Sequence, residues 1–234
     1  MDELPIVTVV LLAFNRREEL RTTLAATRDL EYPPARLETI VVDNASTDGT
    51  AAMVAEEFPC VSVVKRSTNV GIAGWNDGLE RARGDFVLLL DDDCYLTGDS
   101  LRRAVAAAQT HAADLVSFRI RSALDHDHVF QREYEAGLLS FWGCAVLLSR
   151  RAAVALGGFD PEIFVWAHEP EFTIRLLDSG LRHLHAPEID AYHQVAPLRP
   201  RGAVFYRLNA RNLAPRETIR QLEKDKDTLK GMAR

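Results

Sequence analysis

Four short apolar runs, each followed by a segment of helical pattern, constrain this chain more than any other feature. Ile6 to Phe14 is aliphatic and β-branched with only Thr8 interrupting it, Leu37 to Asp43 and Val61 to Lys65 continue the series, and Phe86 to Leu90 is wholly apolar. Such runs read as strands covered on both faces. Between and after them, Arg16 to Arg28, Thr50 to Phe58, Ile72 to Arg83 and Leu101 to His111 read as helices, with Tyr32-Pro33-Pro34 breaking the chain before the second strand. Four strand-helix units in sequence predict an α/β fold: a mostly parallel, doubly wound, Rossmann-like sheet with helices on both faces.

In such sheets ligands bind beyond the carboxyl ends of the strands. Three polar clusters fall at those ends: Asn15-Arg16, Asp43-Asn44-Ala45-Ser46 and Asp91-Asp92-Asp93. The last is the most informative, because a buried strand ending in three consecutive carboxylates concentrates like charge. A cation, or a phosphate bridged by one, relieves that repulsion, and Mg²⁺ is commonly held by one or two carboxylates plus phosphate oxygens. The plainer alternative is an acidic turn in which Asp99 or Ser100 caps the next helix.

Composition narrows the class. The sequence has 234 residues, 47% hydrophobic and 26% charged, with a net charge of -6. A soluble globular domain with no general affinity for nucleic acid is expected. Cys60, Cys94 and Cys144 are odd in number and widely separated, which suggests neither a disulfide framework nor a zinc site and points to a reducing cytoplasm. Met1-Asp2-Glu3 lacks the basic flank of a signal peptide. The apolar stretch Ala136 to Leu148 is too short to span a bilayer, so any membrane contact is expected to be peripheral.

The second half is less regular. Leu115 to Ile120 reads as a strand and Arg121 to Gly137 as a polar loop whose Asp125-His126-Asp127-His128 could mimic a metal site but reads more simply as a solvated loop over the pocket. Glu171 to Ser179 reads as a helix stopped by Gly180, followed by short extended pieces at Arg182 to His185 and Ile189 to Tyr192. The tail from Pro215 alternates charge, as a solvated helix does.

Dinucleotide-binding and P-loop folds need glycines directly after a strand so that backbone can approach phosphate. Leu11-Leu12-Ala13-Phe14-Asn15-Arg16 has none, which counts against both and against sugar nucleotidyltransferases. Instead, V-T-V-V-L-L-A-F-N-R, I-V-V-D-N-A-S-T-D-G-T, N-V-G-I-A-G-W-N-D-G and G-D-F-V-L-L-L-D-D-D, in that order across Val7 to Asp93, resemble the nucleotide-sugar half of the family 2 inverting glycosyltransferases, which have the GT-A fold. The resemblance implies that Asp43 reads the nucleobase, with Ala13, Asn15 and Arg16 lining the nucleotide pocket. It puts Asn69, Gly71 and Asn76 under base and ribose, and Asp91, Asp92 and Asp93 at the D-x-D block. There Asp93 ligates a divalent metal, Mn²⁺ or Mg²⁺, joined by Asp91, while the earlier carboxylates face ribose and donor sugar. On the residues alone, Asp43 and Asn69 also suit ordinary loop and cap roles.

The acceptor half resembles the family in order as well. Phe141-Trp142-Gly143-Cys144-Ala145, Arg150-Arg151 and Gly157-Gly158-Phe159-Asp160 match the segment shaping the donor-sugar and acceptor pocket. His168-Glu169-Pro170-Glu171-Phe172-Thr173-Ile174-Arg175 aligns with the acidic E-D-x-D-L-x-x-R pattern and puts Glu169 at the catalytic carboxylate. Glu for Asp adds a methylene, and Pro170 departs from the pattern. Equally, Glu169 and Glu171 near a helix start, with Arg175 at i,i+4, could be dipole and salt-bridge chemistry. His193, in the closing stretch, fits a third metal ligand or a hydrogen-bonded structural histidine. Arg199, Arg201, Arg207 and Arg211 fit a diphosphate clamp or a solvated basic face.

The resemblance thus implies a cytoplasmic, metal-dependent transferase using a nucleoside diphosphate sugar, with UDP or dTDP favoured, in bacterial glycan or natural-product biosynthesis. The acceptor is a saccharide, a lipid-linked glycan or a small molecule, and peripheral membrane docking or a homo-oligomer completes the site. Residues 1–112 form the donor half, 113–214 the acceptor and catalytic half of the same domain, and 215–234 a charged tail. A nucleotide-sugar binding protein without turnover is the rival reading, favoured by the Glu169-Pro170 departure.

Overall fold

The computed structural model describes residues 3–130, 141–165 and 167–194. Strands β1 (Val7–Ala13), β2 (Leu37–Asp43), β3 (Ser62–Lys65) and β4 (Phe86–Asp91) alternate with helices α1 (Arg17–Arg28), α2 (Thr50–Glu57) and α3 (Trp75–Arg81). The later elements are β5 (Cys94–Tyr95), α4 (Ser100–His111), β6 (Leu115–Ser122), β7 (Ala145–Ser149), α5 (Arg150–Leu156), α6 (His168–Asp178) and β8 (His183–His193). Together the strands form one sheet in the order β3-β2-β1-β4-β7-β6-β8-β5. Its first four strands are parallel, as the strand-helix repeats predict. Beyond β4 the sheet is mixed: β7 runs antiparallel to both β4 and β6, β8 is parallel to β6, and β5 is antiparallel to β8.

The winding is visible in the alternation of side chains. Val7, Val9, Leu11, Leu88 and Leu90 pack on one face against Leu20 and Leu24 of α1, Met53 and Val54 of α2, and Leu101 and Val105 of α4. Val10, Ile40, Val42, Val87 and Leu89 point the other way, onto Trp75 of α3, Ala152 of α5, and Phe172 and Leu176 of α6. With both faces covered, no polar residue is wanted on either parity, which is why these strands read as unbroken apolar runs.

Five elements depart from the sequence expectation. The segment expected to be one helix from Ile72 is a tight 3-10 turn over Gly71–Gly74 followed by the shorter α3, because Ile72 N donates to Phe164 O (2.8 Å) and holds the entry away from α-helical geometry. Strand β7 and helix α5, capped by Ser149 Oγ accepting from Ala152 N, lie where only an apolar stretch and a basic pair were read. The helix expected from Glu171 begins three residues earlier, at His168. Pro170 therefore sits in its first turn, where the missing N–H is no loss. The two extended pieces near the end are one strand, β8, with a register jump opposite Phe118 and Arg119 that spans Pro187. Proline cannot donate to the ladder, so the irregularity falls there.

Candidate active site

Register brings the strand ends together. Ala13 pairs with Asp43 and Leu12 with Asp91, so β1, β2 and β4 end on one rim. Asn44 N donates to Ala13 O (2.9 Å) and Arg66 N to Asp43 O (2.9 Å), extending the ladder past the last paired residues. Asn15, at a left-handed φ of 53°, turns the chain toward β2; its N donates to Ser46 Oγ (3.0 Å), and its Oδ1 accepts from Thr47 N (2.8 Å). Asp43 is buried, and its Oδ1 accepts from Ser46 N (2.9 Å). Ala13, Asn15 and Asp43 therefore form one side of a continuous rim.

Asn44, not singled out in the sequence, ties this rim to the next segment. Its Nδ2 donates to Asn69 Oδ1 (2.9 Å) and Gly71 O (3.0 Å), and its Oδ1 accepts from Val70 N (3.1 Å). Asn69 Oδ1 also accepts from Gly71 N (2.8 Å). Gly71 has a φ of 64°, and a Cβ there would fall within 3.0 Å of the Phe164 backbone; only glycine allows that approach. Asn76 is engaged elsewhere: its Nδ2 donates to Phe159 O (2.8 Å) and its Oδ1 accepts from Phe159 N (2.8 Å). It clamps α3 to the Gly157-Gly158-Phe159 turn, and that backbone takes both ends of its amide.

Past β4 the three carboxylates separate in role. Arg16 Nη1 donates to Asp92 Oδ1 (3.1 Å) and also binds Asp93 Oδ2. Asp92 further accepts from Phe14 N (3.1 Å), so it braces the β1 turn. Burial pushes the Asp92 carboxyl up to about 7 against the opposing charge of Arg16. Burial, with Asp93 and Asp92 beside it, holds Asp91 well above the usual carboxylate range.

A cleft of about 500 Å³ opens beside this cluster, lined by Arg16, Asp91 and Asp93 on one side and by Gly143, His168 and Glu169 on the other, with Trp75, Trp142 and His193 among the remaining walls. Glu169 sits in the first turn of α6, where the helix dipole favours an anion. Its Oε1 accepts from Gly143 N (3.4 Å), and burial raises its carboxyl above the ordinary range. Glu171, two residues on, is drawn off by Arg175, which also donates to Leu156 O (2.7 Å) and Gly158 O (2.9 Å). The two glutamates thus divide: Glu169 faces the cleft, and Glu171 anchors the turn after α5.

Among the described residues, seven buried side-chain nitrogen or oxygen atoms have no hydrogen-bond partner, and five of them belong to cleft residues: Trp75 Nε1, Asp93 Oδ1, both ring nitrogens of His168, and His193 Nδ1. Buried polar atoms are ordinarily paired. Their concentration on one cleft marks a surface built to meet polar ligand groups.

The residues present also fit a hard divalent cation. Asp93 Oδ1 is buried, and His193 Nε2 stands 3.2 Å from it without hydrogen-bond alignment; two ligands at right angles, each about 2.1 Å from a metal, would be about 3.0 Å apart. Among the described residues no group of three or more His, Cys, Asp or Glu side chains is close enough to hold a metal. The expected Asp91, Asp93 and His193 all line the cleft, with Asp93 and His193 side by side and Asp91 on the wall nearby.

Other expectations resolve differently. Asp125 to His128 are exposed and do not line the cleft; His126 packs on Tyr192 (4.9 Å between rings) and His128 edge-on against Phe130 (4.7 Å). Arg199, Arg201, Arg207, Arg211 and the 215–234 tail lie outside the described residues, as do 131–137 of the expected loop. Gly143 and His168 were not expected as individual site residues. The glycine inside an aromatic-rich apolar segment and the histidine adjoining Glu169 were the available signals.

This geometry, a polar rim at the strand ends leading to a carboxylate-lined cleft on a doubly wound sheet, is that of the GT-A fold. Residues 8–159 match glycosyl transferase family 2, and the chain belongs to that family. It is 27% identical over 138 residues to glycosyltransferase AglE of Haloferax volcanii, covering 57% of this chain and 45% of the relative. It is 29% identical over 203 residues to the β-monoglucosyldiacylglycerol synthase of Synechocystis, covering 77% and 41%. The chain thus spans less than half the length of these relatives. Among solved structures, the mannosyltransferase PcManGT of Pyrobaculum calidifontis in complex with GDP-Man and Mn²⁺ superposes with a TM-score of 0.72 at 26% identity over 90% of this chain and 62% of that one. Staphylococcus aureus TarS residues 1–349 in complex with UDP superposes with a TM-score of 0.69 at 21% identity over 87% and 63%, a likeness of fold. No helix among the described residues is long and apolar enough to cross a membrane.

Proposed function

We propose that the chain transfers a glycosyl group from a nucleoside diphosphate sugar, UDP- or dTDP-linked, to an acceptor hydroxyl with inversion at the anomeric carbon. The observation that carries this reading is the set of unpaired buried atoms on the cleft, which lies between the Asp93-His193 pair and Glu169. On this reading residues 1–112 hold the donor: Asp43 reads the base, Ala13, Asn15, Asn69 and Gly71 shape the pocket around it, and Asp91 faces ribose and sugar while Asp92, held by Arg16 and Phe14 N, braces the turn beneath them. Residues 113–214 bind the acceptor and supply the base. The mannosyltransferase neighbour with GDP-Man and Mn²⁺ supports a metal-dependent nucleotide-sugar donor.

Asp93 and His193 would hold Mn²⁺ or Mg²⁺, which when bound neutralises charge on the leaving diphosphate as a Lewis acid. Glu169 accepts the proton of the acceptor hydroxyl while the oxygen forms its bond to the anomeric carbon and the diphosphate leaves with the old bonding pair. A raised carboxyl suits that role, since a base nearer neutrality takes a hydroxyl proton more readily. Arg16 is within reach of both Asp92 and Asp93 and orients the donor side. The acceptor is a saccharide, lipid-linked glycan or small molecule, met by peripheral membrane docking or across an oligomer.

Thermal unfolding with UDP, dTDP, GDP and CDP, each with and without Mn²⁺, tests the donor site on the wild type and Asp93→Ala. One nucleotide at about 100 times its Kd should stabilise the fold by roughly 2.7 kcal/mol, only with metal and only in the wild type. No shift with any nucleotide at millimolar concentration would overturn the reading.

A further inference from the structure

We propose that His168 is a positioning residue: as an uncharged donor from Nδ1 it fixes the carboxylate of Glu169 that receives the acceptor's proton. The inference rests on the transferase reading and deepens it. His168 opens α6 and is 4% exposed. Its ring is boxed by Trp75 (6.0 Å between centroids) and Phe159 (5.9 Å). On a third side a Cβ at Gly143 would come within 3.0 Å of Nε2, so the absence of a side chain at Gly143 is what admits the imidazole. The ring has little freedom to turn.

An apolar side chain would fill this box without stranding polar atoms, yet the chain places an imidazole there with neither nitrogen in a hydrogen bond. The atom nearest to a partner is Nδ1, 3.1 Å from Glu169 Oε2 but short of hydrogen-bond alignment. Contacts of this kind commonly align only when substrate is bound. Burial keeps the ring neutral, so one nitrogen carries the proton and the other a lone pair. A lone pair against a carboxylate repels it. The stable tautomer therefore has its proton on Nδ1, directed at Oε2, while Gly143 N holds Oε1. With one donor on each oxygen, the carboxylate cannot rotate about its terminal torsion and presents a fixed lone pair to the cleft.

The two amide side chains separate the ring's two nitrogens: Asn at 168 keeps a donor at the Nδ1 position, Gln keeps one near Nε2, and Phe keeps only the packing. Two readouts on the full chain decide. The first is carbon NMR titration of ¹³C-labelled glutamate carboxylates, which needs no substrate. H168Q and H168F should raise the Glu169 midpoint by about one pH unit, because each loses the donor to the ionised form, and H168N should leave it near the wild-type value. The second is nucleoside diphosphate release from UDP-glucose, dTDP-glucose and GDP-mannose with Mn²⁺, with E169Q as reference. H168Q and H168F should lose about 100-fold in kcat with KM for the donor unchanged, as a displaced catalytic group does, and H168N should stay within about threefold.

If H168N and H168F behave alike in the titration, the positioning role is overturned. If E169Q releases nucleoside diphosphate at the wild-type rate, or no donor is turned over by the wild type, the transferase assignment of Glu169 fails instead, and the titration still decides the His168 contact.

Discussion

Replacing Asn44 by alanine should cost about 2–3 kcal/mol of stability. The side chain is 2% exposed and makes three hydrogen bonds, two from Nδ2 and one to Oδ1, all to the segment Asn69–Gly71. At roughly 1 kcal/mol per bond the loss is about 3 kcal/mol. Val70 and Gly71 are only half-buried, so water recovers part of it. For a chain of this size each kcal/mol lowers Tm by about 2–4 °C, giving a drop of roughly 4–12 °C. Urea denaturation with an unchanged m-value measures the difference directly. Asn44→Asp should be no milder than alanine, because it keeps the acceptor for Val70 but turns an oxygen toward Asn69 Oδ1 and Gly71 O. A double-mutant cycle with Asn69→Ala should show a coupling of at least about 0.5 kcal/mol, since the two side chains share a bond. A loss under about 1 kcal/mol, or simple additivity, would mean that this network does not hold the rim together.

Three further outcomes are expected. Gly71→Ala forces a side chain onto a φ of 64° and into the Phe164 backbone, so it should cost roughly 1–3 kcal/mol and weaken nucleotide binding in the thermal assay; wild-type stability would refute the close approach. Between about pH 6.5 and 8 the metal-free protein should lose stability as pH rises, because folded Asp92 still holds its proton near pH 7 while the unfolded side chain, with a pKa of about 3.9, does not. Below about pH 6.5 the neutral His168 and His183 act in the opposite sense, while the raised Asp91 and Glu169 carboxyls act in the same sense as Asp92, so Asp92→Asn should reduce, without abolishing, the fall of the urea midpoint across the upper window. Asp114 is held below the usual range: burial opposes ionisation, but Arg151, Arg182 N and Ser149 outweigh it. Its contribution is therefore present above about pH 4 and lost as pH falls through its depressed value. Asp114→Asn should cost about 1.5–3 kcal/mol at pH 7 and progressively less as pH falls through the depressed Asp114 value, and a pH-independent difference in urea midpoint would refute the assignment.

The parallel half was legible because its physics is local. Each strand is covered on both sides, so apolar runs stand out, and each ends at a polar cluster that register then gathers. Strand β7 was not legible: Ala145 to Ser149 sits inside a longer apolar stretch, and nothing nearby says that it inserts antiparallel between β4 and β6. That choice is made by long-range pairing. In β8, Pro187 splits an eleven-residue strand, so local signals report two pieces where the ladder tolerates a jump. At the site, carboxylates at strand ends were visible by charge alone. Asn44 and His168 were not, because their roles come from who faces them across the fold.

The insertion of β7 has a mechanical consequence. Phe86 to Leu90 are laddered to Ala145 to Ser149, so the strand that delivers the acidic cluster is stitched to the strand that follows Gly143 and Cys144. No hinge line runs between the two halves, since opening one would tear a buried ladder. A chimera that exchanges everything after β4 for a relative's would have to be cut through paired strands. A cut at the segment between β4 and β5 or between α4 and β6 would leave the β4–β7 ladder whole only if both strands came from the same parent.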